Sequence, residues 1–510
     1  MIASDADAMA QSAAEPAAIR REDVVVGSAA ERYLKALSVL EDRRDRSWMI
    51  RGESPVLLGG DPGPWTIDRS ADRLRFRGVQ VGLHWNDRLP IAGLEGPMWH
   101  GRGLTVHASP AVVGRFGAVA VRLAPHLWWS ENRPFELVPG GPFVFSDPAK
   151  GYSIDLPQRF GEVEVGRVDP GESSLAVEWG RARVALTSAA VRVGTGSEHA
   201  ILLQGNHGGF PRIELGLPGG VATPVGRVTG GLGWGRLAQT RWAADRRAGA
   251  RLGTFLVAGW TPPGDRFDVG VARFYHRDWA GVRARDLLVP FGSLFRDDQT
   301  LGLDAADNQL AVLFARLRAP AAGLEIFGEF GKNDRSADGR DLLVELEHNS
   351  AWLVGVQRVW SAASGGMPTG ALRSLTLTGA SGRIPAVTRF RGQASFFEHT
   401  PVSQGHTLRG QLLGTPLLER DGGAELRFDA YSSRGGHSVI LSSRAMLNQR
   451  AEAVLPTARR HEWRLRIERR RRTGDSEAMV MLGGVADLGR GPDERDWFSL
   501  QAGARWTWLR

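Results

Sequence analysis

The sequence predicts an all-β protein: a closed antiparallel transmembrane β-barrel with a short N-terminal helical segment ahead of it. Short runs in which apolar and polar residues alternate recur from about residue 70 to the C-terminus, separated by clusters of Gly, Pro, Asp and Ser. Several of these runs carry full charges along the whole polar face, which suits either an exposed sheet surface or the polar lumen of a wide barrel. No stretch of about 18 apolar residues is present, so no helix is expected to span a bilayer. A membrane strand has no such requirement, because lipid-facing and lumen-facing residues alternate along it and dilute hydropathy; the mean hydropathy here is −0.22.

Composition narrows the chemistry more than the compartment. The 510 residues contain no cysteine, which excludes a disulfide framework and thiolate metal sites. The net charge is +8, and the only lysines are Lys35, Lys150 and Lys332, so the basic character is that of arginine. The planar guanidinium fork suits phosphate and carboxylate partners such as lipopolysaccharide, acidic polysaccharide or nucleic acid. A high-GC codon bias acting on surface positions explains the same composition.

Residues 1–27 are Ala-rich and polar and are expected to be disordered or processed. No cationic region followed by an apolar core is visible there, although Ala8-Met9-Ala10 before Gln11 has the small-x-small form of a cleavage site. Residues 28–69 form a helical segment: Ser28 and Glu31 make a capping box, and Tyr33, Ala36, Leu37 and Leu40 recur at helical spacing. The β-domain, residues 70–510, has no internal linker. Its strands are read at LRFRG from Leu74, VQVGLHW from Val79, GRFGAVAVRL from Gly114, FLVAGW from Phe255 and VGVARFYH from Val269. LEIFGEFG from Leu324, WLVGVQRVW from Trp352, ELRFDAY from Glu425, EWRLRIERR from Glu462 and the closing WFSLQAGARWTWLR complete the set.

The faces of these runs separate cleanly. Phe498, Leu500, Ala502, Ala504, Trp506 and Trp508 fall on one side of the last run, and Trp463, Leu465 and Ile467 oppose Arg464, Arg466 and Glu468. Trp352 and Trp360 share a face eight residues apart. At ~3.3 Å per residue and ~40° tilt they span about 20 Å, close to the ~25 Å apolar band that aromatic girdles flank. With the C-terminus on the periplasmic side, the turns at 469–476 and near Ser432 to Gly436 are expected inside, and loops at 486–496, 448–460 and 414–423 outside.

Catalytic and metal motifs are weak. GGLGWG from Gly230 lacks the following helix that a nucleotide loop needs and reads as a glycine-bearing strand. Glu325 and Glu329 share a face, as do Glu345 and Glu347; a lumen ladder neutralised by neighbouring arginines is favoured over glycoside cleavage. The histidines show no metal-ligand spacing and there is no GxSxG elbow, so neither metal, cofactor nor enzymatic activity is expected. Arg469 to Arg472 are assigned by topology to a periplasmic turn rather than to nucleic acid.

FFEHTPVSQGHTLRGQLLG at 396–414, EIFGEFGKND at 325–334, RFYHRDW at 273–279, GYSIDLPQRFG at 151–161, MWHGRGLTV from Met98 and ILLQGNHGGFPRIELG from Ile201 resemble the capsule-assembly Wzi family. The resemblance covers most of the chain from roughly residue 95. A Trp-Gly-Pro-like segment expected around Gly194-Thr195-Gly196 is missing. The resemblance implies a bacterial outer-membrane barrel of about eighteen strands with a helical element at the periplasmic end, acting as a lectin that holds capsular polysaccharide. From outer loops, Arg420, Arg450, Arg459, Arg460 and Arg490 would contact an acidic polysaccharide. Glu325, Glu329, Arg409, Arg427, Arg464, Arg466 and Arg505 would line the lumen, and in a porin-like diffusion channel, the alternative function, would set selectivity. The expected partners are capsular or other acidic extracellular polysaccharide and outer-membrane lipid with lipopolysaccharide, not nucleic acid.

Overall fold

Alternation fixes the architecture, because a strand with one apolar and one charged face needs a different medium on each side, and closure leaves no unpaired edge. The computed structural model describes residues 19–20, 24–40, 50–51, 67–68, 74–90, 96–137, 154–196, 198–205, 207–243, 249–291, 308–333, 343, 346, 349–361, 371–382, 396–399, 402–419, 422–432, 434–445, 460–473, 476–490 and 495–509. Among them is a closed antiparallel barrel of 18 strands. In chain order these are β1 Arg75–Asn86, β2 Gly103–Phe116, β3 in two pieces, Val119–Leu123 and His126–Ser130, β4 likewise, Val165–Asp169 and Ser174–Trp179, β5 Ala182–Thr187 and β6 Arg212–Thr223. Next come β7 Gly226–Leu237, β8 Arg251–Thr261, β9 Phe267–Asp278, β10 Asn308–Ala319, β11 Leu324–Asn333 and β12 Ser350–Ser361. The last six are β13 Leu372–Ser381, β14 Gly422–Ser432, β15 Gly435–Ala445, β16 His461–Thr473, β17 Ser476–Arg490 and β18 Arg495–Leu509.

β18 pairs with β1 and closes the ring. The breaks in β3 and β4 fall at Pro125 and Pro170, which have no N–H for a ladder. Connections alternate between short ones, such as 180–181, 224–225 and 474–475, and long ones, such as 131–164, 279–307 and 382–421, so the barrel has a short-turn end and a long-loop end.

The apolar face of each strand points outward. Phe498 and Leu500 on β18 are 61% and 63% exposed and Leu482 on β17 is 66% exposed, while Ser499, Gln501 and Met481 beside them are buried. Trp352, Val354 and Val356 continue this belt on β12, and Trp463, Leu465 and Ile467 on β16. No helix among the described residues is long and apolar enough to cross a membrane.

Several local readings change. LRFRG and VQVGLHW belong to one strand, β1, with an irregular register between Phe76 and Gly78. GRFGAVAVRL is a hairpin: Gly117, at φ 60°, turns the chain from β2 into β3. The arginines at 469–472 extend β16 instead of forming a turn. Arg470 points inward to Ser438, while Arg469 and Arg471 stand exposed near the short-turn end.

On the inward face, glycine and phenylalanine meet across strands. Gly233 pairs with Phe255, Gly270 with Phe314, and Gly355 with Phe327. A Cβ at Gly355 would lie 2.2 Å from the Phe327 ring, so the ring occupies the space that a side chain would take. The same reason accounts for Gly233 within GGLGWG, where a Cβ would meet the Phe255 ring.

Helix α1, Ala29–Leu40, lies at the short-turn end against Val359, Leu372 and Tyr431 of the wall. Its start is set by Ser28 and Glu31, with one change from the capping box: the Glu31 N–H donates to Ser28 Oγ at 3.1 Å, but the Glu31 carboxylate accepts the Gly27 N–H at 2.7 Å rather than the Ser28 N–H, which bonds the Val25 carbonyl. Its polar face is not solvated, since Glu31, Lys35 and Ser38 are buried with Tyr33, Ala36 and Val39.

Candidate functional site

Inside the barrel the described parts of three inserts from the long-loop end fill the lumen: residues 154–160; 188–196, 198–205 and 207–211; and 396–399 and 402–419. Ile154, Leu156, Ile201, Leu203, Phe397, Leu413 and Leu417 form one buried cluster with the inward wall residues Phe255, Phe274, Phe314, Phe327 and Leu353. The 414–423 stretch, expected as an outer loop, therefore begins inside the barrel, where Leu413, Leu417 and Leu418 are buried. Backbone bonds tie the inserts together: the Gln204 N–H donates to the Leu413 carbonyl at 2.8 Å, Thr415 to Ala200 at 2.9 Å, and Asp155 to Gln404 at 3.0 Å. Buried amides away from regular strands need such partners, because no water is at hand to replace them.

Glu329 fastens this plug to the wall. Its carboxylate accepts the Thr195 N–H at 3.0 Å and the Ile201 N–H at 2.8 Å. A second fastening is a one-way relay. The His406 Nε2–H donates to the Leu202 carbonyl at 2.7 Å, which leaves Nδ1 to accept from His276 Nε2–H at 2.8 Å. His276 Nδ1 then accepts from Arg251 Nη1 at 3.3 Å, and Arg251 Nη2 also donates to the Thr407 carbonyl at 2.6 Å. Both imidazoles must be neutral for the chain of donors to hold.

Burial, with the nearby Arg251 charge, pushes the His406 imidazole down to about 3, against the opposing bond to Leu202. A depressed histidine favours the neutral folded form, so its contribution is full above the unfolded value of about 6.5 and is lost as the pH falls from there through about 3. Plug docking is expected to weaken by roughly 2 kcal/mol between pH 7 and pH 5. Thermal unfolding in detergent at the two pH values measures this, and His406→Phe should reduce the dependence, leaving the share of the other relay ring, His276.

Beneath the plug, buried ion pairs connect it to α1 and the wall. Lys35 Nζ lies 3.1 Å from Glu325 and donates to the Thr195 carbonyl at 3.0 Å. Arg316 lies 3.8 Å from Glu325 and 2.6 Å from Asp268. Burial alone would raise the Glu198 carboxyl, but Arg427 and Arg32 hold it at about 2. Arg427 also binds Asp429 at 2.7 Å. Arg466 lies 3.2 Å from Glu468, and Arg505 Nη2 is 3.4 Å from Met479 Sδ. Arg409 sits at the tip of the 405–414 hairpin instead of on a strand, and reaches out to Asp169 and to the Gly209 carbonyl.

At the long-loop end a second charged group forms a rim. Arg460 Nε donates to Asp487 at 2.6 Å and Arg490 Nη1 to the same carboxylate at 3.0 Å, with a further bond from Arg490 to the Glu136 carbonyl at 3.0 Å. Arg444 lies 2.5 Å from Glu462 and 2.6 Å from Glu419, and Arg464 lies 2.5 Å from Glu462. Four arginines thus share three carboxylates. Arg490 ends β17 rather than lying in a loop, and Arg460 immediately precedes β16. Arg420, Arg450 and Arg459, and the pair Glu345 and Glu347, lie outside the described residues.

Sequence reasoning missed Lys35, Arg251, His276, His406 and Asp487. His406 and His276 stood in stretches with a signal, HTLRGQLLG and RFYHRDW of the resemblance. Among the described residues no group of three or more His, Asp or Glu side chains is placed to hold a metal ion.

Together these features define a class: an outer-membrane type of β-barrel, apolar outside, with its lumen occupied by its own loops around an apolar cluster and buried ion pairs. By sequence, no protein-family model and no curated protein matches the chain. By structure it resembles Wzi of Escherichia coli, an outer-membrane protein involved in group 1 capsule assembly and a carbohydrate-binding β-barrel. The TM-score is 0.56 at 11% identity, covering 84% of each chain. It also aligns with OccK2 of Pseudomonas aeruginosa, with a TM-score of 0.40 at 10% identity over 84% of this chain and 97% of that one. OccAB1 of Acinetobacter baumannii gives a TM-score of 0.43 at 8% identity over 86% and 98%. The likeness to Wzi is one of fold.

Proposed function

We propose that this chain is a bacterial outer-membrane lectin that holds an acidic capsular polysaccharide at the cell surface, without enzymatic activity. The observation that carries this reading is the filled lumen. An apolar cluster locked by Glu329 and the Arg251 to His406 relay suits a fixed scaffold better than a path for solutes. The capsule-assembly role of Wzi, whose fold this chain shares, supports the choice of ligand. Arginine at the long-loop rim supplies the chemistry, since a guanidinium can meet a uronate or pyruvate carboxylate through two parallel hydrogen bonds. In this reading Arg420, Arg450 and Arg459 join Arg460 and Arg490 in contacting the polysaccharide.

Retention of the detergent-purified chain on an immobilised glucuronate-bearing polysaccharide at low salt tests the proposal. Wild type should bind, with neutral dextran as the inactive control, and Arg450→Gln/Arg459→Gln should bind roughly tenfold more weakly. Equal binding by wild type and variant would reject the assigned arginines. Absence of any binding, together with stable open-channel conductance in a planar bilayer, would favour the diffusion channel instead.

A further inference from the structure

Between β9 and β10 the chain departs from the pattern of the other long inserts. Instead of entering the lumen, residues 279–291 lie against the outside of the wall. Trp234, Thr254 and Tyr275 stand in one row across β7, β8 and β9. Their sequence neighbours Phe255 and Phe274 belong to the lumen cluster, so this row faces outward, yet all three of its residues are buried.

The strap is fastened at polar points. The Trp234 indole donates to the Asp286 carbonyl at 2.9 Å, Arg277 Nε to the Asp286 carboxylate at 2.8 Å, and Arg273 Nη1 to the Pro290 carbonyl at 3.2 Å. It therefore descends from the Arg277 level to the Arg273 level and covers outward polar groups that hydrocarbon could not satisfy.

Among the described residues nothing covers what the strap presents in turn. Leu287, Leu288 and Phe291 are exposed, the last by 61%, and they continue the apolar belt. Arg283 and Arg285 are exposed beside them, and Arg236 is exposed at the same end with its guanidinium 5.9 Å from the Trp279 ring centre. The strap's own carboxylate, Asp286, is buried and bound to Arg277. Exposed charge on this surface is thus positive, directly above apolar side chains. That is the vertical order of an anionic lipid, phosphate over acyl chain.

We propose that residues 279–291, with Arg236, form a binding site on the outer wall for the phosphate-bearing headgroup of a membrane lipid. Leu287, Leu288 and Phe291 enter the acyl region, and Arg236, Arg283 and Arg285 surround the phosphate. The proposal rests on the outer-membrane reading of the barrel but not on its polysaccharide role.

Reconstitution of the full chain in phosphatidylcholine nanodiscs, with and without phosphatidylglycerol, tests it by native mass spectrometry of retained lipid. Wild type should retain phosphatidylglycerol in preference to phosphatidylcholine. Arg283→Gln/Arg285→Gln should weaken that retention roughly thirtyfold, with an unchanged thermal midpoint in pure phosphatidylcholine. Equal retention by the variant, or displacement of the lipid by equimolar inorganic phosphate, would overturn the site. A dimer that Phe291→Ser dissociates would overturn it as well, by giving the apolar surface to a second copy. Failure of wild type to enter phosphatidylcholine at all would reject the barrel reading beneath it.

Discussion

Lys35→Ala is expected to release helix α1 from the barrel and to cost roughly 3–5 kcal/mol, the range for removing one partner of a buried ion pair. Lys35 is 1% exposed, and its ammonium is held between the Glu325 carboxylate and the Thr195 carbonyl. Without it, Glu325 keeps, among the described residues, only the longer contact with Arg316, at 3.8 Å, and a buried carbonyl loses its donor. Because α1 also packs through Tyr33, Ala36 and Val39, the loss should be read as undocking before global unfolding. Limited proteolysis between residues 24 and 40 would show it, alongside a lower thermal midpoint in detergent. Lys35→Met/Glu325→Gln, which removes both charges, should recover much of the loss. A double variant as weak as the single one would mean that packing, not the ion pair, holds the helix.

Ile467→Arg should cost about 2–4 kcal/mol in lipid, the penalty for a cation at the midplane of a barrel's outer face. Ile467 points outward near the middle of β16, flanked across the ladder by Val439 and Leu482, both exposed and apolar. Arg469→Gln, on the same face but closer to the short-turn end, should change stability by less than about 1 kcal/mol, because the interface tolerates charge. Urea unfolding of the reconstituted barrel measures both. Similar costs at the two depths would contradict a hydrocarbon layer around the belt.

Legibility in the sequence divided along the wall. A strand between two media must repeat with period two, so the outward Trp463, Leu465 and Ile467 and the inward Arg464, Arg466 and Glu468 are separable from residues alone. Helix α1 was legible at its cap, since Ser28 and Glu31 act over three residues. Its destination was not, because a polar stripe holding Glu31 and Lys35 looks the same whether it meets water or buried counter-charges. The plug left no period to read. Its described residues satisfy much of their backbone through distant partners, such as Gln204 with Leu413, Thr415 with Ala200 and Asp155 with Gln404, and no local pattern encodes a bond across such a gap. The stretches GYSIDLPQRFG, ILLQGNHGGFPRIELG and HTLRGQLLG, which carried the family resemblance, are nonetheless where the plug is built. Position in the ladder was the third gap: counting strands back from the C-terminus put Arg469 to Arg472 in a turn, whereas the strand continues to Thr473 and alternates them in and out.

The absence of cysteine allows single thiols to be placed at will, which gives the sharpest test of which medium lies on each side of the wall. Spin labels at positions 463 to 468 of β16 in liposomes should alternate in accessibility. Positions 463, 465 and 467 should respond to oxygen dissolved in the bilayer, and positions 464, 466 and 468 should be shielded from it. A uniform response to a water-soluble relaxant along all six positions would contradict a lipid-facing belt.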